Sequence, residues 1–288
     1  MGGFNFTVQT PDATNVNQNS KAIIDIPCTV SHTYLKTFLI FRKADGSVLT
    51  QAEMLANIGD FVVKIDGKKI IDADFEFMVY LAKKRNGSDG INLPNGLLEI
   101  MYQRPDLATD VARELTGWGM KNVKKFTMEL EIKGTAVKQI EAFHRVSPME
   151  TLFGTHITVE KSTEDVTGTG KKIYTDMPID NTANENLLEL VVRENGGTIT
   201  DTACKVGNVW IKEWSPVFLD RYIDETTRKV EQAGYYTFSF NNNRSPLGLL
   251  PLNGVRVFHQ HIEWSAKPTT SQADFFLVKV QNLATQSA

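Results

Sequence analysis

One stretch of this chain limits its fold more than any other, because it occurs twice. Residues 61–87, FVVKIDGKKIIDADFEFMVYLAKKRNG, read as a strand (Phe61–Ile65), an Asp66-Gly67 turn, a returning strand (Lys68–Ile71) and a helix. Asp-Gly between alternating apolar and polar residues marks a two-residue hairpin, since a type I′ turn needs positive φ at both central positions. Asp72 and Asp74 are helix N-cap types, Lys83, Lys84 and Arg85 suit the negative end of the helix dipole, and Asn86-Gly87 offers a left-handed stop. Residues 204–229, CKVGNVWIKEWSPVFLDRYIDETTRK, give strand, Gly207-Asn208 turn, strand and a helix opened by Ser215 and Pro216. Lys64 and Lys205 lie 141 positions apart in a chain of 288, so the sequence predicts two copies of one domain.

Other segments repeat in the same order. Arg42, at the end of FLIFR, precedes Arg193, at the end of LLELVVR, by 151 positions; Gly96 precedes Gly234 by 138; Leu130 precedes Trp264 by 134. The first half reads as strands at Ala22–Pro27, Tyr34–Lys43, the hairpin, Leu97–Pro105, Asn122–Lys133 and Ala136–Val146. Between them lie a short helix from Thr50, with Glu53 completing a capping box and Gly59 ending it, and another at Asp106–Leu115. The second half gives strands at Thr155–Lys161, Leu187–Arg193, the repeated hairpin, Gly234–Asn241, Gly254–Trp264 and Asp274–Gln281. A Gly/Thr-rich excursion covers Ser162–Gly170, and a Leu/Pro/Gly loop at Ser245–Leu252 stands in place of the second short helix. Seven Asn-Gly or Asp-Gly dipeptides support a strand-dominated chain. About eight strands per half is the number that two Greek keys wound into a jelly roll require. The expected fold is mainly β: two tandem eight-stranded antiparallel jelly rolls with a few short helices. Their expected limits are 1–20 for a polar flexible N-terminal arm, 21–147 for the first jelly roll and 148–288 for the second.

Composition narrows the function. With 31 basic and 34 acidic residues the net charge is −3, unlike a protein that coats nucleic acid with a dense basic surface. Cys28 and Cys204 are far apart and lack metal-type spacing, so each reads as a small apolar residue. No signal peptide and no apolar run of 18 residues is found, which suggests a protein kept in a reducing compartment.

The best metal candidate is His259-Gln260-His261-Ile262-Glu263. On a strand His259, His261 and Glu263 share one face, and two imidazoles with a carboxylate suit a divalent ion. Cupins use a related pattern with a longer gap before the acid and a glycine beyond it; here Glu263 follows at once, and no fourth ligand is visible. Gly168-Thr169-Gly170-Lys171-Lys172 resembles half a P-loop but lacks its first glycine and its Ser or Thr. No nucleophile–base signature occurs, and Trp118, Trp210, Trp214 and Trp264 read first as core, second as interface. The residues thus name no catalytic, cofactor or metal site, and no enzyme.

The order strand, hairpin, helix, strand ending in Arg-Pro, short helix and alternating strand, all then repeated, resembles the double jelly-roll major capsid proteins. The similarity is to those of tailless, membrane-containing icosahedral bacteriophages of the corticovirus type, in the adenovirus/tectivirus lineage. It is carried by KIDGKKI (Lys64–Ile70), by LLEIMYQRP with Arg104-Pro105, and by Asp106–Ile132. The resemblance implies a virion structural protein made in the host cytoplasm, with no cofactor. It also implies homotrimers that tile a shell as pseudo-hexagons, meeting neighbouring capsomers, penton and minor capsid or membrane proteins, with contact to an underlying lipid membrane and no sequence-specific nucleic-acid binding. Two other readings compete: a two-domain cupin-like metal-binding protein using His259, His261 and Glu263, and a carbohydrate-binding β-sandwich with aromatics exposed on one strand face.

Overall fold

The computed structural model describes residues 5–85, 96–104, 107, 114–175, 177–179, 184–214, 233–240 and 249–281. The chain divides into two compact units, one running to Ile157 and the other starting at Thr158.

The first unit holds β1 (Phe6–Gln9), β2 (Ser20–Ile26), β3 (Thr33–Arg42), β4 (Ile58–Ile65), β5 (Lys68–Asp74), β6 (Leu97–Met101), β7 (Trp118–Gly119), β8 (Phe126–Ile132) and β9 (Gln139–Ser147). Its strands run β1-β9-β3-β6, with β7 beside β3, and β2-β8-β4-β5. The second unit holds β10 (His156–Asp165), β11 (Gly170–Tyr174), β12 (Glu185–Arg193), β13 (Thr198–Val206), β14 (Val209–Trp214), β15 (Tyr235–Ser239), β16 (Leu250–Pro251), β17 (Phe258–Ala266) and β18 (Gln272–Gln281). Its strands run β10-β18-β12-β15, with β16 beside β12, and β11-β17-β13-β14. Each order is that of an eight-stranded jelly roll, and the copies agree strand for strand. Even the minor strands correspond: β7 pairs with the start of β3, and β16 with the start of β12.

Local chemistry explains the elements. At the β4–β5 turn Asp66 and Gly67 have φ of 49° and 84°, the two positive values a type I′ turn demands. The Asp66 carboxylate accepts from the amides of Lys124 (2.9 Å) and Lys125 (2.8 Å), and the Asp66 amide donates to the Lys125 carbonyl, which ties the hairpin to the entry of β8. The β13–β14 turn uses Gly207 at φ 59°. Helix α1 (Gln51–Asn57) starts with the full Thr50–Glu53 capping box. Helix α2 (Phe75–Arg85) is capped by Asp74, which accepts from the Phe77 amide at 2.9 Å.

Each core lies between apolar strand faces. In the first unit Tyr102, Trp118 and Phe126 meet, with Tyr102 and Trp118 centroids 4.4 Å apart. In the second, Trp264 Nε1 donates to the Tyr174 hydroxyl at 3.0 Å and Tyr174 packs on Phe275.

Several expectations need correction. Residues 6–14 are not a flexible arm: β1 pairs with β9 from Phe6↔Val146 to Gln9↔Phe143, and Thr10 and Ala13 donate to the carbonyls of Ala142 and Ile140. Phe6 and Val8 alternate with polar neighbours, a period-two pattern that the Asn, Gln and Thr content disguises. The unit boundary falls ten residues after the expected 147–148 because the intervening segment is tied back to the first unit. Thr33 Oγ1 donates to the Met149 carbonyl, the Lys121 amide to Thr151 and the Phe153 amide to Asn122. The supposed excursion at 162–170 is largely strand, and it leads into β11, whose two lysines hide its alternation. Gly59 lies inside β4 rather than ending α1, where a Cβ would overlap the Glu131 side chain. Lys84, expected only to serve the helix dipole, is buried, with its ammonium 3.3 Å from the Tyr80 hydroxyl. The helix expected at 215–229 and most of that at 106–115 lie outside the described residues.

Gly119 checks the packing of the first unit: a Cβ there would sit 2.2 Å from the Thr151 carbonyl oxygen, whereas one at Gly168 meets nothing within 4 Å. Gly119→Ala should cost about 1–3 kcal/mol in urea unfolding, and Gly168→Ala should be near neutral.

Candidate functional site

The face shared by His259, His261 and Glu263 is the outward face of the β11-β17-β13-β14 sheet. Antiparallel register places His259 opposite Lys205, His261 between Ile173 and Ala203, and Glu263 between Lys171 and Asp201. The two imidazole centroids are 6.2 Å apart, and His261 is largely covered, its ring edge-on to Trp210 at 4.7 Å. Among the described residues no group of three or more His, Cys, Asp or Glu side chains is placed to hold a metal ion. The cupin-like expectation is therefore corrected: the strand brings the three residues to one face, but an indole rather than a fourth ligand closes on them. Gly168–Lys172 is no phosphate loop, since Gly170 opens a strand where a P-loop requires a helix. Neither cysteine forms a disulfide; Cys204 lies in the core, and burial, with the Asp66 charge, pushes the Cys28 thiol up.

What the face does present is a patch that sequence reading missed. Trp210 is 44 % exposed and Ile173 55 %. The Lys171 and Lys205 ammonium groups lie 5.9 Å and 5.8 Å from the Trp210 ring centre, at cation–π distance. Lys171 takes this position although Glu263 is its cross-strand neighbour. The first copy answers differently. By hairpin register Lys64 corresponds to Lys205, Lys69 to Trp210 and Glu129 to His261. There Lys64 pairs with Glu129 at 2.5 Å and Lys69 with Asp72 at 2.7 Å. One scaffold position is thus an ion-paired face in one unit and an exposed aromatic–basic face in the other. The signal lay in the sequence, as Glu129 against His261, but reading it required the strand register.

Two buried polar groups complete the candidates. In the first unit His144 is fully buried, with Nδ1 2.6 Å from Thr37 Oγ1 and Nε2 3.3 Å from Thr10 Oγ1; Thr37 also meets the Tyr102 hydroxyl at 2.7 Å. Burial pushes the His144 imidazole down to about 4. In the second unit Asp274 joins Arg193, Thr163 and Lys161. Burial alone would raise its carboxyl, but hydrogen bonds from Arg193 and Thr163 and the charges of Arg193 and Lys161 outweigh that and hold it at about 2. In both networks the described partners hold the buried group by hydrogen bonds or ion pairs, which suits scaffold.

The comparisons with known proteins agree with this reading. A protein-family model described as viral coat protein P2 N-terminal domain matches residues 7–147. Among solved structures, the major capsid protein P2 from bacteriophage PM2 superposes with a TM-score of 0.82 at 12% identity, covering 98% of this chain and 99% of that one. The major capsid protein of Sulfolobus Turreted Icosahedral Virus gives 0.68 at 10% identity, covering 98% of each chain. The PBCV-1 virus capsid gives 0.62 at 10% identity, covering 96% of this chain and 94% of that one. No curated protein sequence matches. Residues 7–147 thus match the viral coat protein P2 N-terminal domain model, and the whole chain has the double jelly-roll fold seen in those major capsid proteins.

His144 sets a pH dependence. Its folded value lies below the unfolded value near 6.5, so its contribution is complete above pH 6.5 and is lost as pH falls toward 4. At about 1.4 kcal/mol per unit this amounts to up to about 3 kcal/mol. Urea unfolding at pH 7 and pH 4.5 should show that loss, and His144→Gln should flatten it; an unchanged slope would contradict the assignment.

Proposed function

We propose that this chain is a major capsid protein whose copies associate as homotrimers, each trimer a pseudo-hexagonal tile of an icosahedral shell. The carrying observation is the duplication itself: two jelly rolls with one strand order, matched down to β7 and β16, in a single chain. Three such chains supply six similar modules, and six modules around a threefold axis give near-sixfold neighbours, which is what a hexagonal tile needs. The modest net charge of −3 fits a shell separated from its genome by a membrane better than a coat that wraps nucleic acid. On this reading the tile meets neighbouring capsomers, penton and minor capsid or membrane proteins, with the lipid membrane beneath. The Trp210 face and the loops at either end of each jelly roll are the surfaces for such contacts, the chain is made in the host cytoplasm, and no residue is catalytic.

Light scattering coupled to size-exclusion chromatography tests the association. The expected mass is three times the 32.2 kDa of the chain, or a larger shell. A monomer at micromolar concentration would overturn the reading. His259→Ala with His261→Ala should leave that mass and the thermal midpoint within a few degrees of wild type, whereas a metal lost with the histidines would revive the cupin alternative.

A further inference from the structure

One end of each module gathers exposed apolar and basic side chains. In the first unit that end holds the β2–β3 loop, the β4–β5 turn, the chain around β7 and the chain leaving β9. Backbone bonds tie these segments together: the Met120 amide donates to the His32 carbonyl and the Lys121 amide to the Thr151 carbonyl, both at 3.1 Å. On them Val30 is 50 % exposed, Leu115 66 % and Leu152 59 %. Lys124 and Lys125 stand exposed at the same end with no ion-pair partner among the described residues; the nearby acids are engaged, Asp66 by their amides and Glu150 by Lys121 at 2.8 Å.

The second unit builds this end the same way. In the first, the Val123 amide donates to the Met120 carbonyl at 3.2 Å and the Asp66 amide to Lys125 at 2.8 Å; in the second, Val255 donates to Leu252 at 3.0 Å and Gly207 to Val257 at 2.8 Å. Lys124 thus corresponds to Arg256, again exposed and without an ion pair among the described residues, and Val209 and Val257 are exposed around it. The opposite end of the first module differs. Its exposed large apolar side chains among the described residues are Val48 and Leu55, and Lys43 there is paired with Glu53.

Aliphatic loop tips interleaved with free cations make a poor protein hot spot, where Leu and Val are scarce and aromatic anchors sit inside a polar rim. A bilayer with anionic headgroups suits them: the tips enter the acyl boundary while the cations stay at headgroup level. We propose that this end of the module docks on an anionic lipid bilayer, with Val30, Leu115 and Leu152 as its apolar contacts and Lys124 and Lys125 as its charged ones. This rests on the reading of a shell above a membrane and names the surface that meets the lipid.

Flotation of the full-length protein with extruded vesicles tests it. Wild type is expected to float with vesicles of phosphatidylcholine and phosphatidylglycerol, less so as salt rises, and to stay behind with phosphatidylcholine alone. Lys124→Gln with Lys125→Gln should weaken flotation about tenfold or more, and Leu115→Ser with Leu152→Ser several-fold, whereas Leu55→Ser at the opposite end should leave it unchanged. Circular dichroism and light scattering confirm that each variant keeps the wild-type fold and mass; if the leucine pair fails to fold, the lysine pair decides. A wild-type trimer that ignores the anionic vesicles would overturn this surface and leave the capsid reading intact, as would folded variants that float like wild type. Flotation lost with the lysines but untouched by the leucines would mean a general polyanion surface and also overturn it. A monomeric wild type that still floats would overturn the trimer and leave the lipid surface standing.

Discussion

Each unit depends on a pairing between segments far apart in sequence. In the first, β3 lies against β9 along nearly its whole length, and the Arg42–Glu141 ion pair that seals it joins residues 99 positions apart. In the second, β12 lies against β18 and Arg193 reaches Asp274 across 81 positions. Until these ladders form, neither sheet has a continuous apolar face and there is nothing for the hairpins to pack on. The cost is the entropy of closing long loops, which makes such folds slow to form. The return is a sandwich whose rows of inward side chains, from His144 and Phe41 in one unit to Leu190 and Phe275 in the other, are fixed by the period-two alternation of the strands.

Duplication then separates what is structural from what is particular. Features present in both copies, such as the strand order, the two-residue hairpin and the short strand beside β3 or β12, define a module. Features present in one copy mark what that module does in its place. Lys64 has a carboxylate and its counterpart Lys205 has an indole.

Much of the fold was legible in the sequence, for local reasons. Asp66-Gly67, the Thr50–Glu53 box, Asp74 and the alternating strands each announce themselves within a few residues. The failures share one cause: tertiary context overrode composition. Phe6 and Val8 sit in a polar segment that reads as disordered until β9 is beside it. Ile173 and Tyr174 follow two lysines that mask a strand, and Lys84 ends a helix where basic residues are normally solvated. The outward faces were illegible for a deeper reason. Whether His259, His261 and Glu263 converge on a metal depends on register across strands, which no single segment encodes.

The central claim, that one duplicated module tiles a surface, is tested most directly by electron cryomicroscopy of the purified capsomer or shell. The account predicts a threefold particle with six barrel-shaped densities in near-sixfold arrangement, two per chain. A closed dimer, or three chains whose barrels stand as separated pairs without the sixfold pattern, would contradict it.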